Sequence, residues 1–318
     1  MILNGFEDNK GVLNNKKLFL VCGKSFDRLK FADEIKFHQP VRFSNFRPNP
    51  LYEEVMLGVE KFKSSGCDVI LAVGGGSAID VAKSIKYYSK SDAEIIAIPT
   101  TSGTGSESTH FAVIYKDGVK VSVADQSLLP QIVILEPSTL ENVPIYTRKA
   151  TMLDALCHAI ESYWSKKATI ESKAIAVAAI KEILENKDAY LRNEKNGNAG
   201  MLKAANLAGQ AINKTTTTAA HAMCYKITSL YGFAHGHAAA LCLPEVWKVN
   251  KTAIPGITIN QFVDLFNELE LDYPASEKRE EDLKVLVKSV NLQRLGNNPV
   301  ALEPEMIRQM YERIVKWK

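Results

Sequence analysis

At 318 residues, 46% of them hydrophobic, the chain is long enough to bury a substantial core and to form two domains. Basic residues number 39 against 36 acidic, a net charge of only +3 with scattered lysines and no aromatic interleaving, so no nucleic-acid partner is expected. The five cysteines are odd in number, lack CxxC spacing and sit in apolar stretches. Together with the absence of any apolar signal region or membrane-length run, this gives the expectation of reduced thiols in a cytoplasmic enzyme.

In chain order, the first strand-like run is Lys17 to Cys22, followed by the turn Gly23-Lys24-Ser25. A helical pattern near 51–64 leads to a strand at 69–73 that stops at Gly74, Gly75 and Gly76, and Ser77 opens an amphipathic helix over 77–88 carrying Asp80 and Lys83. Glycines there let backbone N–H groups approach a phosphate, with the positive end of the helix behind them; a plain tight turn is an equal reading of three glycines alone. The next strand, 95–98, runs into Pro99-Thr100-Thr101-Ser102-Gly103-Thr104-Gly105-Ser106-Glu107, a loop of hydroxyls suited to a ribose, phosphate or amide. Residues 111–123 alternate around Asp117-Gly118 and predict a β-hairpin, and a further strand follows at 132–135. Two strand-to-loop edges in succession predict ligand binding at the carboxyl ends of a parallel sheet.

Pro137 and Pro144 interrupt the pattern, after which the chain reads as helical. The expected division is an α/β dinucleotide-binding domain over 1–143 and an all-helical metal and substrate domain over 144–318. In the second, Asp154 and His158 are four apart, which stacks them on one face of a helix read over Thr151 to Trp164. His221 and His235 follow, the latter in Ala234-His235-Gly236-His237, where glycine permits close backbone approach. Singly, each histidine reads better as an ordinary core or surface residue. As a set, three imidazoles and a carboxylate suit zinc or ferrous iron.

Pro48-Asn49-Pro50, the run from Gly74 to Lys83, the loop Pro99 to Glu107, Lys120, the run from Asp154 to Glu161, His221 and His235-Gly236 together resemble the iron-dependent (group III) alcohol dehydrogenase family, in the family's order over most of the chain. The resemblance implies the same two-domain architecture with the active site in the cleft between them, and a dimer or higher homo-oligomer. It implies metal ligands Asp154, His158, His221 and His235. It also implies pyrophosphate on Gly75, Gly76 and Ser77 with Asp80 nearby, nicotinamide near Thr100, Thr101, Ser102 and Thr104, and Lys120 reaching the nucleotide. Relatives that use NAD tend to carry an acidic residue after the first strand; Gly23-Lys24-Ser25 instead favours NADP(H) over NAD(H) by charge. Where a second histidine often follows the third ligand, this chain has Tyr225; Tyr225 and His237 are the candidates for passing a proton.

A finer resemblance, to the phosphonoacetaldehyde reductase branch, rests on Lys214 with the threonines 215–218, Tyr225-Lys226, His235-Gly236-His237 and Asn291 to Pro299. It implies reduction of phosphonoacetaldehyde to 2-hydroxyethylphosphonate, with Lys214 and Arg294 expected to hold the anionic tail. A helix cap with solvated charges is the other reading of those residues. Three other functions remain: a general short-chain alcohol, aldehyde or hydroxy-acid dehydrogenase, a lyase of the dehydroquinate synthase type, and a non-catalytic homologue.

Overall fold

A computed structural model describes residues 1–317. The first half contains, in order, β1 (Ile2–Asn4), β2 (Leu18–Cys22), α1 (Ala32–Phe37), β3 (Val41–Phe43), α2 (Tyr52–Ser65), β4 (Val69–Gly74), α3 (Gly76–Ser89), β5 (Glu94–Pro99), the hairpin β6 (Phe111–Lys116) and β7 (Val119–Ala124), and β8 (Ile132–Leu135). Six of the strands form one sheet in the order β1-β8-β5-β4-β2-β3, and every pair is parallel.

Helices on both faces of such a sheet require apolar side chains in both directions, which is why β4 reads as an unbroken hydrophobic run. Leu71 and Val73 enter one core with Phe26 and Ile35; Ile70 and Ala72 enter the other with Val59 and Ile79. The hairpin turns at Asp117-Gly118, both at positive φ (51° and 73°), as a two-residue connection of twisted strands requires. β1 and β3 are not foreseen by the sequence pattern, because three-residue edge strands are too short for alternation to register.

The chain then becomes helical: α4 (Ile145–Trp164), α5 (Ile170–Leu191), α6 (Lys195–Thr215), α7 (Ala219–Tyr231), α8 (His235–Asn250), α9 (Ile259–Glu268), α10 (Arg279–Lys288), α11 (Leu292–Leu295) and α12 (Pro304–Ile314). One departure from an all-helical arrangement is a two-residue parallel ladder between β9 (Ala275–Ser276) and β10 (Lys316–Trp317). Among the described residues no helix is long and apolar enough to cross a membrane.

The two halves meet closely. Gly105, at φ +60°, lies against Gly209 of α6 so tightly that a Cβ on Gly105 would fall 2.5 Å from the Gly209 Cα. The buried Arg148 adds a polar tie, donating to the Tyr190 carbonyl (2.8 Å), to Asn198 Oδ1 (2.8 Å) and to the Leu140 carbonyl just after the sheet. At this junction a cavity of about 410 Å³ opens between the start of α3, the hairpin and the helices α4, α7, α8 and α11.

Candidate active site

The helical wall of the cavity carries the donors. Asp154 and His158 lie one turn apart on α4, and His221, in the first turn of α7, brings its Nε2 to 3.3 Å from Asp154 Oδ1. Donor atoms of Asp154, His158 and His221 all lie within 4.8 Å of one another, and the His158 and His221 rings stack with centroids 4.5 Å apart. His235 opens α8 beside them, its ring centroid 5.3 Å from that of His221. Gly236 is what lets α8 come so near: a Cβ there would fall 2.1 Å from the Ala150 carbonyl oxygen and 2.5 Å from Asp154 Cβ.

Burial drives His158 down to about 4 and His235 down to about 3, so both imidazoles are neutral at pH 7 with lone pairs free. Burial would raise Asp154, but His158, His221 and His235 outweigh it and hold the carboxyl below the usual carboxylate range. Buried neutral imidazoles around an ionised carboxylate form a donor set whose chemistry fits a divalent transition metal.

The sheet wall is built from loops. Gly76, Ser77, Asp80 and Thr104 line the cavity where α3 begins. The glycines serve close packing as well as open backbone: a Cβ on Gly76 would fall 2.9 Å from Thr104, and one on Gly75 3.0 Å from Thr101 Oγ1. Gly74 lies below them, its carbonyl accepting from Thr100 N at 3.0 Å. Asp80 is half-buried and accepts from Ser106 Oγ (2.5 Å) and Val113 N (3.2 Å). Of the hydroxyl group expected near a nicotinamide, Thr104 reaches the cavity, whereas Thr100, Thr101 and Ser102 do not line it. Ser102 is fully buried and donates to the Tyr190 hydroxyl at 2.9 Å, because the close approach of the two halves turns it into the helical half. Cys22 pairs with Val73 across the sheet, which puts Gly23, Lys24 and Ser25 at the same carboxyl edge as the glycine turn. Lys24 and Ser25 are exposed there, outside the cavity.

Between these walls Lys120, Tyr225 and Arg294 converge. The Lys120 amine lies 3.6 Å from the centre of the Tyr225 ring, Arg294 Cζ lies 5.9 Å from it, and that ring stacks on His235 with centroids 5.5 Å apart. Arg294 donates to Thr217 Oγ1. Desolvation, helped by the Arg294 charge, pushes Lys120 down to about 8. Two expected participants are elsewhere. Lys214 points out of α6 to pair with Glu171 at 3.1 Å, since the end of that helix turns away from the cavity. His237, two residues past His235, falls on a different face of α8 and is sealed in, with Nδ1 3.1 Å from the Tyr146 hydroxyl and Nε2 2.9 Å from the Asp272 carbonyl; both nitrogens are committed away from the cavity.

Residues 5–137 match the model of the iron-containing alcohol dehydrogenases, and residues 148–295 that of the C-terminal region of the Fe-containing alcohol dehydrogenase family. A 1,3-propanediol dehydrogenase of Citrobacter freundii is 34% identical over 272 residues, covering 77% of this chain and 70% of that protein. The chain belongs to the iron-containing alcohol dehydrogenase family. An NADPH-dependent butanol dehydrogenase of Clostridium saccharobutylicum is 28% identical over 90% of this chain and 79% of its own. Among solved structures, an iron-containing alcohol dehydrogenase from Thermotoga maritima superposes with a TM-score of 0.87 at 28% identity, covering 98% of this chain and 97% of that one.

For this alcohol dehydrogenase, sequence reasoning gives no role to three residues that the structure makes prominent. Glu161 is fully buried on the Asp154 and His158 stripe of α4. Its Oε1 accepts from Thr218 Oγ1 (2.6 Å), Thr218 N (3.1 Å) and Ala220 N (2.9 Å), and its Oε2 receives His221 Nδ1. A carboxylate thus sits at the N-terminus of α7 and fixes the tautomer that leaves His221 Nε2 facing Asp154. The i+7 spacing from Asp154 is the signal that would have found it. Lys83, also fully buried, donates to the carbonyls of Ser106 (2.5 Å), Thr109 (2.7 Å) and Phe111 (3.0 Å), pinning the hydroxyl loop to the hairpin. Thr228 is on the cavity wall, its hydroxyl is buried and has no hydrogen-bond partner among the described residues, and nothing in its sequence context marks it.

Proposed function

We propose that this enzyme reduces phosphonoacetaldehyde to 2-hydroxyethylphosphonate, consuming one NADPH and one proton and releasing NADP⁺, with a divalent metal held by Asp154, His158, His221 and His235. The observation that carries this reading is one cavity lined at once by the carboxylate and imidazole donors, by the glycine turn at the head of α3, and by an arginine without a carboxylate partner among the described residues. When bound, the metal supplies Lewis-acid polarisation of a carbonyl and the nicotinamide supplies the hydride. Ferrous iron and zinc suit the same donors.

The chain's own residues do the rest. The backbone at Gly75, Gly76 and Ser77, with the α3 N-terminus behind it, receives the pyrophosphate, and Thr104 bounds the pocket beyond it. Lys24 and Ser25, exposed at the sheet edge, receive the 2′-phosphate that distinguishes NADP(H); the NADPH dependence of the Clostridium relative supports this choice. Glu161 orients His221. Tyr225 is the phenol on the cavity wall, and burial raises its pKa so that it keeps its proton at Oη for transfer to the product oxygen. A second reading, oxidation and reduction of uncharged short-chain alcohols and aldehydes, is favoured by the relatives named for 1,3-propanediol and butanol.

The test is NADPH oxidation by the metal-reconstituted protein with phosphonoacetaldehyde, acetaldehyde and propanal, repeated with NADH and with Asp154→Ala. The expected result is strong preference for the phosphonate and for NADPH, with the variant at background. Equal turnover of the uncharged aldehydes would select the second reading, and full activity in Asp154→Ala would remove the metal from the mechanism.

A further inference from the structure

The three histidines of the donor cluster each present Nδ1 to a different acceptor. His221 Nδ1 donates to the Glu161 carboxylate, and His158 Nδ1 lies 3.3 Å from the Gly103 carbonyl oxygen. A carboxylate or a carbonyl only accepts, so both contacts put the ring hydrogen on Nδ1 and leave the lone pair on Nε2. The outward geometry agrees: Nε2 of His221 lies 3.3 Å from Asp154 Oδ1, and Nε2 of His158 lies 3.9 Å from it. His235 follows the same plan with an unusual partner. Its Nδ1 lies 3.6 Å from the sulfur of Cys224, a fully buried residue one turn after His221 on α7.

A thiol has one hydrogen to give, and the His221 carbonyl takes it at 3.4 Å. Toward His235 the sulfur is therefore the acceptor and Nδ1 the donor. Tyr225, stacked on His235 at 5.5 Å, holds the plane of the imidazole but does not distinguish its two flips; a directional contact to a ring nitrogen does. We infer that Cys224 is a positioning residue for the donor cluster: its sulfur selects the flip and tautomer of His235 that free Nε2 for a metal, and joins the two helices that carry His221 and His235. This role rests on the metal set proposed above. Neutral sulfur accepts more weakly than a carboxylate, so His235 is aimed less firmly than His221. In keeping with that, the donors within 4.8 Å of one another comprise Asp154, His158 and His221, and His235 stands beside them.

The test starts without metal. Proton–nitrogen NMR spectra of the imidazoles in the metal-free protein report which nitrogen of each ring carries the hydrogen, and His235→Gln identifies the His235 signals by their loss. The expected result is the Nδ1–H form in the wild type, a mixture of both forms in Cys224→Ala, and recovery in Cys224→Ser, whose hydroxyl also accepts. Zinc affinity, read by chelator competition, should fall about three- to tenfold in Cys224→Ala and recover in Cys224→Ser. Cys242→Ala removes a sulfur from the same apolar core and should change neither readout. An Nε2–H form of His235 in the wild type would overturn the assignment before any variant is compared. Unchanged zinc affinity in Cys224→Ala would do the same, and an equal loss in Cys242→Ala would reduce Cys224 to packing. A wild type that binds no zinc would count against the metal set alone, and the tautomers would then decide the role of Cys224 by themselves.

Discussion

On the helical side of the cavity each donor hangs from a helix face, and the spacing along that helix sets where it points. On the sheet side the loop from Pro99 to Glu107 takes its shape from contacts with segments far away in the chain: Lys83 beneath it, Tyr190 and Gly209 across from it. The first arrangement is local and stiff, and the second is distributed. A donor cluster built the first way should fail sharply when one orienting group is altered, while the loop should absorb the loss of any single tie with a small change.

The largest effect is expected at Glu161→Gln. Loss of the carboxylate from His221 Nδ1 should weaken metal binding by roughly 10–100-fold, read by chelator competition, with catalysis restored at high metal. A variant that keeps full metal affinity would show that the helices alone fix the cluster. Next comes Gly236→Ala, whose Cβ would fall 2.1 Å from the Ala150 carbonyl oxygen. Backbone cannot step aside as a flexible side chain does, so α8 must shift; a loss of ~1–3 kcal/mol in denaturant unfolding, with lower metal retention, is expected. On the loop side, Ser102→Ala removes one hydrogen bond to Tyr190 and should cost only about 1 kcal/mol, leaving the KM for NADPH close to wild type. A large rise in that KM would mean that the loop is held by this one tie.

The smallest effect is a pH dependence. With Lys120 pushed down to about 8 by desolvation, its charge is present below that pH and lost above it. The kcat/KM for an anionic aldehyde should therefore fall a few-fold between about pH 7 and 9 (about one pH unit either side of the midpoint), while that for propanal should not follow it. Parallel profiles for the two substrates would place the titration elsewhere.

This contrast also explains what could be read in the chain. β2, β4, β5 and β8, the hairpin at Asp117-Gly118, and the pairing of Asp154 with His158 were legible because period and turn chemistry are local properties. Ser102 and Lys214 carry the same residue types that a binding loop or an anion pocket would use, and nothing local says that the first faces Tyr190 and the second Glu171. The threonines at 215–218 look like a donor-rich pocket, yet Thr215 is spent on Ser162 Oγ (2.9 Å) and Thr218 on Glu161. His237 shows the limit of reasoning by proximity in sequence: two residues along a helix rotate a side chain to another face, and there Phe233 and Phe266 enclose it.

Gly105 and Gly209 touch with no side chain between them, so at that point the cleft has no compressible padding. The walls there behave as a caliper locked at one setting when the chain folds. With backbone already against backbone, the two halves have no room to move closer at that contact, and no part of any binding energy goes into drawing them together there.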